Sequence, residues 1–313
     1  MANYHSGNHL TNEKKMTNWV WMQGAKSSVK GSSNKSNEDI DDSRRPLISD
    51  LLAENRNLIN DLQAELSKDD LYDQDKHDDL WMLRFLLSHK KDLCKALSAA
   101  KETLEFRKKY KLDEKDIRSV LPQDIKEPND VPSRGFQCFL DNGVSRDAIR
   151  LVVPNETSYG VVVYFSIKDI ETHKLGEVDN DDWVAGMIYV NECQFQWNDY
   201  ITRTTGRLTK SIHVIDVSDI SLSMYDSTTQ GKYTTAGKQL QNCYPQGVQS
   251  YFVCNAPFWI QGPWKIMKPL LPVRVVSKLD FLNPKKYEPD RDQILRFVPF
   301  GQLPTQFGGV AVH

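Results

Sequence analysis

The chain has 313 residues, with 40 basic and 42 acidic side chains and a formal net charge of −2 at pH 7. This balance excludes nucleic acid as the main partner, because neutralising a phosphate backbone leaves a basic surplus on the binding domain. A membrane is not excluded, since a local basic patch suffices, and the length suits one large domain or a helical unit joined to an α/β domain.

Residues 1–45 are rich in Asn, Ser, Lys and Gly and cannot bury enough apolar surface to order themselves, which predicts a disordered tail. Trp19, Trp21 and Met22 form an apolar island in it, either packing locally on the domain or docking a protein partner. Pro46 opens a helical pattern through Leu47, Leu51, Leu58, Leu62 and Leu66, and an acidic stretch over 69–79 separates it from an apolar run over 80–87. Leu93, Ala96, Leu97, Ala100 and Leu104 then repeat at helical spacing. Helices are therefore expected over 46–110, within a subdomain of residues 46–120.

Pro122, Pro128 and Pro132 mark a linker to a second domain over 133–310. Residues 135–156 read as one short strand and a loop, and 159–167, β-branched and aromatic, as a buried strand. The acidic cluster at 179–182 starts a helix that carries Trp183, Met187, Val190, Trp197 and Ile201 on one face. A strand over 210–216 leads to a long segment ending at Tyr244-Pro245, and a strand over 249–254 runs into Asn255-Ala256-Pro257. A further strand and a terminal loop close the pattern. Strands alternating with helices predict an α/β fold with a parallel or mixed sheet. Residues 258–271 are too apolar for a surface segment, yet Pro263, Pro269 and Pro272 interrupt them or follow closely. An oily, broken element of this kind predicts a cover over an apolar cavity.

Leu83-Arg84-Phe85-Leu86, Phe106-Arg107, Ile215-Asp216, Tyr244-Pro245, Asn255-Ala256-Pro257, Val276-Ser277-Lys278 and Leu303-Pro304 with Phe307-Gly308-Gly309 follow in a telling order. Together they resemble the CRAL-TRIO lipid-binding domain with its N-terminal helical subdomain, as in yeast-type phosphatidylinositol/phosphatidylcholine transfer proteins. The resemblance covers residues 46–310 and implies a helical subdomain followed by a mixed, mostly parallel sheet flanked by helices. It also implies a hydrophobic lipid cavity closed by a mobile helix, here bearing Trp264, Ile266, Met267, Leu270 and Leu271. The chain is expected to end just after this domain, with no appended membrane-targeting domain.

By the same resemblance, Lys90 and Lys278 fall on headgroup-binding lysines, and Gln246 stands where the family has a glutamate. Val275 replaces a threonine, so two headgroup-bonding groups are altered. Tyr164, Ser211, His213 and Ile215 are expected to line the cavity, with His213 in place of a threonine on the strand face of Ser211. The resemblance implies a carrier of a phospholipid, such as phosphatidylinositol, that contacts membranes transiently. Two alternatives stay open: a carrier of a single-chain or isoprenoid hydrophobe, and a protein-interaction or GTPase-regulatory scaffold.

The sequence carries no Gly-x-Ser-x-Gly elbow, Walker-type loop or His-Glu-x-x-His motif, so neither an enzyme nor a cofactor is expected. His5 and His9 sit four apart but in the tail, and no metal site is expected there. The basic run over 107–111 is a solvated helix end or a weak attraction for anionic lipid heads. Cys94, Cys138, Cys193, Cys243 and Cys254 lack paired spacing and suit reduced thiols. With no run of roughly 18 apolar residues and no signal-peptide core, a soluble cytoplasmic protein is expected.

Overall fold

The computed structural model describes residues 45–153, 159–221, 224, 226–240, 242–260 and 276–312. The island at 19–22 and the cover with Trp264, Ile266, Met267, Leu270 and Leu271 lie outside the described residues.

Four helices open the described chain: α1 (Ile48–Glu54), α2 (Arg56–Leu66), α3 (Asp79–Ser88) and α4 (Leu93–Tyr110). Asp78 accepts from the Trp81 amide at 3.0 Å and Asp92 from the Lys95 amide at 3.1 Å, capping α3 and α4 where their first amides have no helical partner. Ile59, Leu62 and Leu66 close a core with Met82, Leu83, Phe85, Leu86, Ala96 and Ala100. Each large aliphatic side chain sealed there contributes about 1.5–3 kcal/mol.

A charged seam joins this helical unit to α7 (Asn180–Thr205). Arg107 forks onto Glu192 at 3.0 and 3.2 Å and donates to Asp113 at 2.6 Å. Arg84 and Arg107 each place their guanidinium 5.6 Å from the centre of the Phe195 ring. Removing Arg107 would leave Glu192 charged and almost wholly buried, the costly way to break such a pair.

Between the two units the structure departs from the sequence reading. Pro122 opens a 3-10 turn (Pro122–Asp124), and Pro132 sits in the first turn of α5 (Val131–Asp141), where a missing amide is harmless. Asp130 and Ser133 cap α5 reciprocally. The sequence suggests one short strand and a loop over 135–156; both are present, the strand as β1 (Ile149–Val152), but residues 135–141 belong to α5. Glycine is a poor helix former, but at Gly135 it lets α5 press on α7: a Cβ there would lie 2.5 Å from the Cβ of Ala185.

The sheet adds β2 (Val162–Ser166), β3 (Ser211–Asp216), β4 (Val248–Cys254) and β5 (Leu279–Leu282), in the order β1-β2-β3-β4-β5. β1 is antiparallel to β2 and the other neighbours are parallel, so the sheet is mixed and the fold α/β. The helices α6 (Thr172–Leu175), α8 (Ser227–Leu240) and α9 (Glu288–Leu295) complete the described elements. α9 occupies part of what reads as a terminal loop, again with a proline in its first turn.

Alternation along the strands gives the sheet two faces. One buries Val162, Tyr164, Ile212, Val214, Phe252, Cys254 and Leu282 under α9 and the segment holding Phe297, Leu303 and Phe307. The other carries two cross-strand rows, Val163–His213–Tyr251–Leu279 and Phe165–Ile215–Val253–Phe281. Tyr164 is thereby corrected. Its ring stacks on Phe307 at 5.7 Å and its hydroxyl donates to the Gln302 carbonyl at 3.0 Å, on the face opposite His213. All five cysteines are free thiols.

Candidate functional site

The face bearing His213 and Ile215 is the one with space over it. His213, Tyr233 and Tyr251 lie deep in the molecule, yet each keeps accessible surface, a combination that marks an interior crevice rather than a filled core. A cavity of about 90 Å³ lies at one end, walled by Phe139, Phe165, Trp183, Met187, Met224 and Tyr233. Its apolar lining suits a hydrocarbon segment, since such cavities stay dry and take apolar guests.

From that cavity the lining turns polar. Burial first, and then the neighbouring Tyr251 phenol, push the Tyr233 hydroxyl up. Burial pushes Tyr251 up to about 12, and its ring stands 5.0 Å from that of His213. Burial, and then the Lys278 ammonium, bring His213 down to about 4, so the imidazole is neutral at pH 7. Its Nε2 lies 2.9 Å from Gln194 Oε1. Because Gln194 Nε2 donates to the Val190 carbonyl, the oxygen faces His213 and Nε2–H is the donor. Ile215 is buried one pleat further along the same face, among Ile167, Val253 and Leu279. Ser211 also belongs to this side but is sealed: its hydroxyl accepts from Asn198 of α7 at 2.8 Å, and none of its surface is accessible.

The three residues assigned to a headgroup converge on one corner, at the C-terminal end of α3 and the N-terminal ends of β3 and β4. Gln246 adopts a left-handed backbone (φ 58°), from which its amide and its Nε2 both donate to Ser88 Oγ, at 3.1 and 3.2 Å. Lys90 follows two residues later in an exposed turn, also left-handed (φ 55°). Lys278 donates to the Val248 carbonyl at 2.5 Å, and Val248 pairs with Ser211 in the sheet.

Sequence reasoning missed Lys210, Arg84, Gln194, Tyr233 and Tyr251 as parts of this tract. Lys210 immediately precedes β3, and a lysine against a buried strand was the available signal. Burial first, then Lys278 and Arg84, lower its ammonium to about 8. Among the described residues there is no cluster of three or more metal-ligating side chains, and no helix long and apolar enough to cross a membrane.

Residues 155–309 match the model of the CRAL/TRIO domain. Patellin-4 of Arabidopsis thaliana is 23% identical over 231 residues, which is 74% of this chain and 38% of that protein. The phosphatidylinositol/phosphatidylcholine transfer protein SFH14 of the same plant is 23% identical over 268 residues, 85% of this chain and 43% of its own. The SEC14 cytosolic factor of Candida glabrata is 31% identical over 110 residues, 34% of either chain. The chain thus spans between 34% and 43% of the length of these relatives. The crystal structure of Sfh5 superposes with a TM-score of 0.51 over 80% of this chain and 82% of that one, at 13% identity, a likeness of fold alone.

Proposed function

Because this chain belongs to the CRAL/TRIO family, we propose that it is a lipid carrier rather than an enzyme, and that it moves a phospholipid between membranes or presents it to a partner. The observation that carries this reading is the graded tract over one sheet face, hydrocarbon-lined at Phe165 and Met187 and cationic at Lys210 and Lys278. Acyl chains would lie at the first end and a phosphorylated head at the second, near Gln246, Lys278 and Lys90. Each methylene withdrawn from water contributes about 0.8 kcal/mol, so a two-chain lipid leaves a bilayer readily only when other apolar walls replace the oil. Phe258, 88% exposed, is an apolar side chain available for transient contact with the membrane.

The test is lipid extraction and mass spectrometry of the full chain purified from cells, with transfer of labelled phospholipid between vesicles. One bound phospholipid per chain and measurable transfer are expected. A chain that carries no lipid and exchanges none rules the reading out.

A single-chain or isoprenoid ligand is the second reading, favoured by the neutral, buried His213, whose Nδ1 is left as an acceptor suited to a hydroxyl head once Nε2–H donates to Gln194. Displacement of a bound fluorescent retinoid by phospholipid separates the two. No binding of the retinoid at all removes the second reading.

A further inference from the structure

The four parallel strands all end at one polar cleft. Lys168 lies two residues past β2, Asp216 ends β3, Asn255 follows β4 and Asn283 follows β5. With Lys285 and Lys286 they line a space of about 610 Å³. Open parallel sheets take ligands in the crevice outside the carboxyl ends of their strands. The corner with Gln246 and Lys278 lies at the other end of those strands, roughly 20 Å away along β4 at about 3.3 Å per residue.

Asp216 forms the floor of the cleft and is only 2% exposed. Its Oδ1 accepts from the Ser218 amide at 2.9 Å and from Asn255 Nδ2 at 3.1 Å. Its Oδ2 takes no hydrogen bond, and no cation pairs with it, among the described residues. A carboxyl oxygen this deep without a donor is costly, and a donor brought by a ligand removes the cost. At the rim, Lys168, Lys285 and Lys286 are exposed, and no carboxylate among the described residues pairs with them. Lys286 lies 5.4 Å from the centre of the Tyr287 ring. Asp219 is the one acidic side chain on the rim, so positive charge is in surplus there.

We propose that this cleft binds a small phosphorylated polyol from solution, with hydroxyl groups donating to Asp216 and the phosphate meeting Lys168 and Lys285. The two halves of the cleft ask for opposite chemistry in one molecule. Hydroxyls suit the carboxyl floor, which only accepts, and a phosphate suits the ammonium rim, which only donates. Free phosphate leaves the floor without a donor, and a plain polyol leaves the rim without an anion. A phosphorylated cyclitol or pentose meets both demands, and the same head attached to a lipid shares the chemistry. The site stands apart from the carrier tract and holds whether or not that tract carries a phospholipid.

The experiment is calorimetric titration of the full chain with inositol 1-phosphate and ribose 5-phosphate, beside myo-inositol and inorganic phosphate. One site per chain is expected, with either phosphorylated polyol binding at least about tenfold more tightly than myo-inositol or phosphate. Lys168→Met and Lys285→Met, both at the exposed rim, are each expected to weaken inositol 1-phosphate about tenfold, the loss of one charge-assisted contact. Both are expected to keep phospholipid loading within about twofold. Asp216→Asn is expected to weaken inositol 1-phosphate about tenfold and to leave inorganic phosphate no weaker. Binding of inositol 1-phosphate that survives unchanged in both lysine variants overturns the proposal, as does no binding of either polyol phosphate. Vesicles bearing phosphatidylinositol 4-phosphate separate the sources: Lys168-dependent sedimentation with them, without binding of the soluble probes, overturns the assignment and gives the cleft to a membrane surface. A chain that binds inositol 1-phosphate here but loads no phospholipid defeats the carrier reading alone; one that loads phospholipid and ignores every soluble probe defeats only this inference.

Discussion

At the scale of single residues, His213 couples the tract to pH. Its imidazole is held near 4 against an ordinary value near 6.5 by burial and by Lys278, with Tyr251 and Gln194 as its other close neighbours. The folded chain therefore keeps His213 neutral while the unfolded chain protonates it, and between pH 6.5 and 4 the unfolded state binds the extra proton. Stability from this group is complete above pH 6.5 and is lost as the pH falls toward 4. Asp113 acts elsewhere on the scale: burial alone would raise it, but the His77 ring 3.9 Å away and the Arg107 guanidinium that donates to it hold it at about 2, so its contribution fades below that window. His213→Gln, which keeps a donor and loses the titration, is expected to flatten the fall in stability between pH 6.5 and 4 by on the order of 1–3 kcal/mol, read from thermal melts across that range. Parallel pH profiles for the parent chain and the variant would remove His213 from this role. His213 was legible because alternation within one strand puts it on the face of Ile215. Tyr164 was not, because the facing of a side chain across strands depends on register, and Tyr164 pairs with Val214 rather than with His213.

At the scale of elements, helix α5 shows how a contact can override local preference. Glycine and proline in residues 131–141 argue against a helix, although Pro132, Phe136 and Phe139 fall at helical spacing. The close crossing with α7 decides the matter, for at Gly135 a Cβ would stand 2.5 Å from both the Ala185 Cβ and the Gly186 backbone nitrogen. Backbone cannot yield as a side-chain tip can. Gly135→Ala is therefore expected to destabilise the fold by about 1–3 kcal/mol despite alanine's better helix propensity. At Gly237 in α8 an added Cβ would meet nothing within 4 Å, and Gly237→Ala is expected to stabilise by about 0.4–1 kcal/mol. Urea denaturation of the two variants measures both, and equal signs would show that the α5–α7 crossing is looser than its geometry. The longer helices α4 and α7 were readable from spacing alone, because they bury broad apolar faces that the 3.6-residue period exposes.

At the scale of the whole molecule, a carrier must trade stability for emptiness. Space over the sheet forfeits the dispersion contacts that a packed core would gain, and a bound chain restores them. The cavity beside Met187 is where this trade can be measured, since Phe139, Phe165 and Trp183 wall it with rigid rings and α7 supplies Met187 on a firm backbone. A larger side chain at that position fills vacant volume instead of displacing neighbours. Met187→Trp is expected to raise the stability of the lipid-free chain by about 1 kcal/mol and to reduce loading of long-chain phospholipid, while sparing a short-chain analogue with the same head. Thermal melts of delipidated protein and parallel loading of the two lipids read both effects. Should long and short chains load equally well, the cavity holds no acyl segment. Should the lipid-free variant melt lower, the space was already filled, and overpacking accounts for the loss.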